Sequence, residues 1–240
     1  MGFYECIRCN EPWDNRNLMS YEGIKDRLVF RLVNTEKNQE FLRTVPHREI
    51  FDLSIVFYVM LEMNSEGTAT MTVKNSHMAQ WRANPDMLWD AAVENSKRML
   101  PAELFTMSYA LGELVSGKAP DVGKGENLLT GEVEKLDRMY VLSNRLRSYG
   151  AACVAYPHIL NMIGQILKKD YYILPSSVHE VVIVPCSSEL DFDELDEMVK
   201  EINDTELDEE DVLSDHAYFV EYRTGKVYVK KGAERETDIF

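Results

Sequence analysis

The segment Tyr171–Pro185, YYILPSSVHEVVIVP, sets Ser176, Ser177, His179 and Glu180 between two apolar runs. Hydroxyls, an imidazole and a carboxylate are the groups that share protons or hold a small polar ligand. If the flanking runs pair as a hairpin, the four side chains gather at one end of a sheet and form a ligand-binding turn. A local reading stands beside it, in which the two serines bond the turn's own backbone. Neither H-E-x-x-H nor G-x-S-x-G is present, so no named hydrolase chemistry attaches and no residue is assigned as catalytic.

A second group is defined by charge. Fourteen of the 41 acidic residues lie between Glu189 and Asp215 against a single base, Lys200, so this stretch carries −13 of the net −15. Phe192, Leu195, Val199 and Ile202 step by three or four and predict a docked amphipathic helix over Asp191–Ile202. Asp191 with Glu194 three residues on suits its N-terminus, where negative charge complements the helix dipole. Helix chemistry leaves Glu206, Asp208, Glu209, Glu210 and Asp211 unexplained, because crowded like charges repel. Two readings follow: a solvated face, or an acidic surface for a basic protein partner, in its sharper form a nucleic-acid mimic that inhibits a nucleic-acid-handling enzyme.

Other candidates carry less chemistry. Cys6 and Cys9 supply half of a tetrahedral zinc set, but no second pair completes it, so no metal is assigned. Gly123-Lys124-Gly125 lacks the spacing of a phosphate-cradling loop. Asp204, Glu206, Asp208 and Asp215 fit calcium-loop positions, yet Glu209 stands where the turn requires glycine. Cys153 lies in the apolar run AACVAY and reads as core packing, not as a nucleophile for His158. No cofactor is implied.

These groups must be carried by a scaffold, and the chain predicts an α+β one. Leu28–Val33 alternates as a strand, and Thr35–Leu42 follows as a short helix capped by Asn34. Leu53–Glu62 and Thr68–Val73 form a hairpin, and Asp86–Met99 a helix led by Pro85. Met139–Ser143 and Ala151–Tyr156 read as strands, and Pro157 opens a helix through Leu167. Tyr171–Leu174 with Glu180–Val184 and Ala217–Tyr222 with Val227–Val229 read as hairpins. The pattern suggests mixed or antiparallel sheets with packed helices and duplicated β-α-β-β-α halves. The expected organisation is an N-terminal extension (1–22), a first half (23–115), a Gly-rich loop (116–138), a second half (139–230) and a flexible tail (231–240).

Composition narrows the class. The N-terminus has no signal peptide pattern, and the apolar run Leu53–Leu61 is too short to span a bilayer, so the chain reads as cytoplasmic with no membrane contact. Four cysteines suit a reducing compartment. Net charge of −15 excludes general, direct nucleic-acid binding, which needs clustered Lys and Arg. The residues set no oligomeric state.

Several blocks together, DRLVFRLVNTEKNQEFL (26–42), TVPHREIFDLSIVF (44–57), NSHMAQW (75–81), MYVLSN (139–144), YGAACVAYP (149–157), DYYILPSSVHEVVIVP (170–185) and VLSDHAYF (212–219), resemble a family of gut clostridia known as a domain of unknown function. Members are typically longer at the N-terminus, and Met1–Glu22 departs from them. The resemblance implies a bacterial, cytoplasmic, mixed α/β protein and brings no activity or site residues. The leading expectation is a non-enzymatic interaction or regulatory protein using its acidic surface. The alternative is a small-molecule-binding protein or hydrolase centred on the Ser176–Glu180 turn.

Overall fold

The computed structural model describes residues 15–64, 67–116, 127–131, 137–175, 177–187 and 192–229. The chain enters through 3-10 turns at Asn15–Met19 and Lys25–Arg27 on either side of α1 (Tyr21–Ile24). It then forms β1 (Leu28–Asn34), α2 (Gln39–Leu42), β2 (His47–Ile50), β3 (Leu53–Asn64) and β4 (Gly67–Thr72). These four strands make an antiparallel sheet around β3, whose 12 residues serve several partners. β1 takes one edge, while β2 pairs with Leu53–Val56 and β4 with Tyr58–Asn64 along the other. The register shifts between Met60 and Glu62, the two-against-one geometry of a bulge.

After α3 (Asn75–Trp81) and α4 (Pro85–Met99) come β5 (Ala102–Thr106), α5 (Met107–Ser116), β6 (Tyr140–Asn144), a 3-10 helix at Gly150–Ala155 and α6 (Ile159–Leu167). The chain continues through β7 (Tyr171–Leu174), β8 (Val181–Pro185), α7 (Phe192–Glu206), β9 (Tyr218–Val220) and β10 (Val227–Val229). The second sheet is antiparallel throughout, in the order β10-β9-β7-β8-β6-β5. The fold is α+β, as the sequence pattern predicts.

One core joins the two sheets. Leu28, Phe30 and Leu32 of β1 and Ile55, Phe57 and Val59 of β3 share it with Leu104, Tyr140, Leu142 and Ile183 of the second sheet. Alternation places these residues on one face of each strand. α4 contributes Leu88, Ala92 and Val93, and Asn84 caps it by accepting from Met87 N at 2.9 Å, with Pro85 at its first position. α7 packs separately, laying Phe192, Leu195 and Val199 on Tyr172, Leu174, Val184 and Ala217.

Several local expectations change. Ala151–Tyr156 is not a strand but a fully buried 3-10 helix over Gly150–Ala155. Both edges of β6 are occupied, by β5 and β8, so this run has no free ladder there to join. Its all-apolar composition carries no period to tell one structure from the other. The order strand, helix, strand, strand, helix is kept in the second half with β6 as its first strand (β6, α6, β7, β8, α7), whereas the first half carries one more strand, β2, between α2 and β3. The sheets also do not divide at the Gly-rich stretch, because β5 precedes it and pairs with β6 beyond it. Thr35–Asn38 is a turn, and only Gln39–Leu42 is helical, although Asn34 Oδ1 does accept from Lys37 N at 2.9 Å. Cys6, Cys9, most of the Gly-rich stretch and the tail lie outside the described residues. Among the described residues, no helix is long and apolar enough to cross a membrane.

Candidate functional site

Pairing of β7 with β8, Tyr171↔Pro185 through Leu174↔Val182, leaves residues 175–180 as their connection. Ser176 lies outside the described residues. Ser177 is buried, and its Oγ accepts from His179 N at 3.0 Å, the local bond expected of a turn serine. Ser177 N donates to the Glu180 carbonyl at 3.4 Å. The His179 carbonyl accepts from Gly150 N at 2.9 Å and Ser143 Oγ at 2.8 Å. A Cβ on Gly150 would run into Ser143 Oγ, Asn144 N and His179 O, so this close approach requires glycine.

The imidazole is held at both nitrogens. Tyr149 N donates to His179 Nδ1 at 3.2 Å, and Nε2 lies 3.3 Å from Asp211 Oδ1. An acceptor at Nδ1 places the proton of the neutral ring on Nε2, where it points to the carboxylate. Val178 N also donates to the Asp211 carbonyl at 2.9 Å. The polar turn and the end of the acidic strip, two separate candidates in the sequence, thus meet in one joint.

Tyr149 links this joint to the first sheet. Its backbone is left-handed (φ 52°), and its ring packs on His179 with centroids 5.3 Å apart. The Arg31 guanidinium sits 3.6 Å from the centroid of the Tyr149 ring and 4.3 Å from that of Tyr58, and donates to Thr70 Oγ1 at 3.1 Å. Burial lowers the Arg31 pKa from its usual value and raises that of the Tyr58 phenol. Asn144 shapes the loop between, donating to Ser148 O and accepting from Leu146 N.

The acidic strip divides by direction. Asp196 is buried on α7; its Oδ1 accepts from Ala217 N at 2.7 Å and its Oδ2 lies 3.3 Å from His216 Nδ1. Asn203 donates to Ser214 O and to Asp215 Oδ1, both at 2.8 Å. Asp196, Asp211 and Asp215 are therefore bound inward. Asp193, Glu194, Glu197, Glu201 and Asp204 of α7 are exposed, as are Asp208, Glu209 and Glu210. Glu206 ends α7, and its side chain is outside the described set.

Asp208, Glu209 and Glu210 form one wall of an open cleft of about 710 Å³, with Asn34, Lys37 and Asn38 opposite and Val33, Val178 and Val212 completing the lining. No described residue makes an ion pair with these three carboxylates. Asn34 fixes the spacing of the walls: its Nδ2 donates to Leu213 O at 3.1 Å, and its carbonyl accepts from Asn38 Nδ2 at 2.9 Å. Behind the cleft, Asp52 accepts from Ser214 Oγ and Tyr218 OH, each at 2.6 Å. Burial and the Asp52 carboxylate push the Tyr218 phenol well above its usual pKa.

Sequence reasoning passed over Asn34, Asp52, Asp196, Asn203 and Ser214 as a set. Their signal is weak but physical, since Asn34 closes β1 and Asp52 lies in the turn before β3, each bordering apolar sequence, where a polar side chain must find a partner.

A family model described as a family of unknown function (DUF5688) matches residues 1–222. The match includes Met1–Glu22, which the sequence blocks had set apart. No curated protein and no solved structure matches the chain.

Proposed function

We propose that this chain, which belongs to that family of unknown function, is a non-enzymatic interaction protein whose cleft receives a basic segment of a partner protein. The observation that carries the reading is the wall of three exposed carboxylates, Asp208, Glu209 and Glu210, with no ion-pair partner among the described residues, on an open cleft. Like charges this close repel one another, and a Lys- or Arg-bearing segment relieves that repulsion while Lys37, Asn34 and Asn38 meet its carbonyls. The hinge of Asn34 on Leu213 and the anchoring of Asp52 on Ser214 hold the two walls in place beforehand, which lowers the entropy lost on binding. A gut-clostridial origin, as the sequence blocks imply, would place the partner in a bacterial cytoplasm.

A hydrolase at Ser177, His179 and Glu180 has less support. Both imidazole nitrogens are engaged, and the Ser177 hydroxyl faces its own backbone. The mimic form of the reading needs a continuous acidic surface, whereas Asp196, Asp211 and Asp215 are bound inward.

The test uses a lysine-rich peptide as probe and two triple variants of equal charge change. Neutralising the cleft (Asp208→Asn, Glu209→Gln, Glu210→Gln) is expected to weaken binding by about 0.6–3 kcal/mol, from roughly 0.2–1 kcal/mol per exposed charge pair. Neutralising the α7 face (Asp193→Asn, Glu194→Gln, Glu197→Gln) is expected to do much less. Equal losses would reduce the effect to net charge and remove the cleft from consideration.

A further inference from the structure

Among the described residues, α7 covers only part of the outer face of the second sheet. Six strands span roughly 24 Å between outer axes, whereas a single helix such as α7 is about 10–12 Å across with its side chains. α7 settles on β7, β8 and the approach to β9, and the flank beside it, toward the start of β6, holds a groove of about 530 Å³. The volume falls within the roughly 300–1,000 Å³ range of small-molecule sites. Its apolar lining comes from Leu174, Val184, Leu195, Met139 and Met198. The two methionines are 41% and 45% exposed, and Met is the side chain best able to reshape around an apolar guest.

The polar lining has a definite sign. Arg138 and Lys169 line the groove and are exposed, and no described residue makes an ion pair with either. The acid beside them, Asp137, is committed elsewhere: it accepts from Ser108 N at 3.1 Å, Ser108 Oγ at 2.8 Å and Arg138 N at 2.7 Å. That carboxylate holds the start of α5, and none of the bonds it accepts comes from the Arg138 or Lys169 side chain. A chain of net charge −15 therefore presents two cations without an ion-pair partner among the described residues beside a mainly apolar groove.

We infer that the groove beside α7 binds a small amphiphilic carboxylate of the medium-chain fatty-acid class. The acyl chain lies against Leu174, Val184, Leu195 and Met198, and the carboxylate meets Arg138 and Lys169. This site is separate from the acidic cleft and does not depend on the reading proposed for it.

Decanoate, below its micelle-forming concentration, is the probe for the full chain, followed by the methionine methyl resonances in NMR. Saturable shifts at Met139 and Met198 are expected, with binding tightening roughly three- to fourfold for each methylene added from octanoate to decanoate. Decanol is expected to bind about tenfold more weakly, and Arg138→Gln with Lys169→Gln to abolish that preference. A second readout uses the half-buried Cys186 in the groove wall: in a Cys6→Ser/Cys9→Ser background, decanoate should slow its alkylation. Equal binding of decanol and decanoate, a preference for decylamine, or saturable shifts that spare Met139 and Met198 would each overturn the inference.

Discussion

Asp52 offers the sharpest test of how the two sheets are fastened together. Its carboxylate accepts from Ser214 Oγ and from Tyr218 OH, both at 2.6 Å, and both donors are buried. Hydrogen bonds to a charged group contribute about 1.5–3 kcal/mol each, so a naive sum for Asp52→Ala is roughly 3–6 kcal/mol. Ser214 keeps a weak alternative acceptor, the His216 carbonyl at 3.5 Å. The Tyr218 hydroxyl also meets the Ser214 side chain, but taking the carboxylate acceptor away from a buried hydroxyl still costs about 1–3 kcal/mol. We therefore expect a loss of about 2–4 kcal/mol, or roughly 4–16 °C in Tm at about 2–4 °C per kcal/mol for a chain of this size. Urea unfolding followed by tryptophan fluorescence measures it directly. Tyr218→Phe is expected to lose less, and the double variant less than the sum, because the two changes remove one shared bond. An Asp52→Ala protein within 0.5 kcal/mol of the parent would mean that water reaches these hydroxyls, and the fastening described here would be wrong.

Other consequences are cheaper to check. Gly150→Ala is expected to prevent accumulation of folded protein, because its methyl group meets backbone as well as Ser143 Oγ and nothing there can move aside; a normal melting curve would contradict the packing. Asp211→Asn is expected to cost under about 1 kcal/mol, since both partners of the His179 contact are partly exposed, and a larger loss in a urea titration would show a more deeply buried joint. In an alkaline titration read by phenolate absorbance, Tyr156, Tyr171 and Tyr218 are expected to ionise only with unfolding, because burial raises each phenol's pKa. Since the native state holds these protons above the unfolded value, stability is full below about 10 and falls as pH rises beyond it; a single smooth titration of all phenols near 10 would refute this. Cys153 is expected to resist thiol reagents that reach Cys186, since burial raises the Cys153 pKa and removes access.

Strong periodicity made much of the scaffold legible. β1, β3, β4, α4, α6, α7 and the β7–β8 and β9–β10 hairpins appear where alternation or helical spacing predicts them. Weak or mixed signals failed. β2 (HREI) carries three polar residues in four, and β5 (AELFT) opens with good helix formers, so each becomes a strand only because a partner edge waits for it. The run Ala151–Tyr156 failed for the opposite reason: every residue is apolar and every face buried. At the site, charge density pointed to Asp208–Glu210, but composition alone does not reveal that Asp196 turns inward to bind Ala217 N while Glu197 stays in water. That distinction follows from the phase of α7 against the sheet, which is set by its apolar stripe.

The bonds that set the cleft join residues far apart along the chain: Asn34 to Leu213 over 179 positions and Asp52 to Ser214 over 162. Contacts of such long range form after local hairpins such as β7–β8, because the closure entropy of the intervening chain must be met first. The cleft is thus among the last parts of the molecule to be assembled, and a partially folded chain lacks it even when most of its strands are paired. A partner that recognises the assembled walls selects finished molecules, and by mass action its occupancy stabilises the completed state by RT ln(1 + [L]/Kd), about 2.7 kcal/mol at a hundredfold excess over Kd.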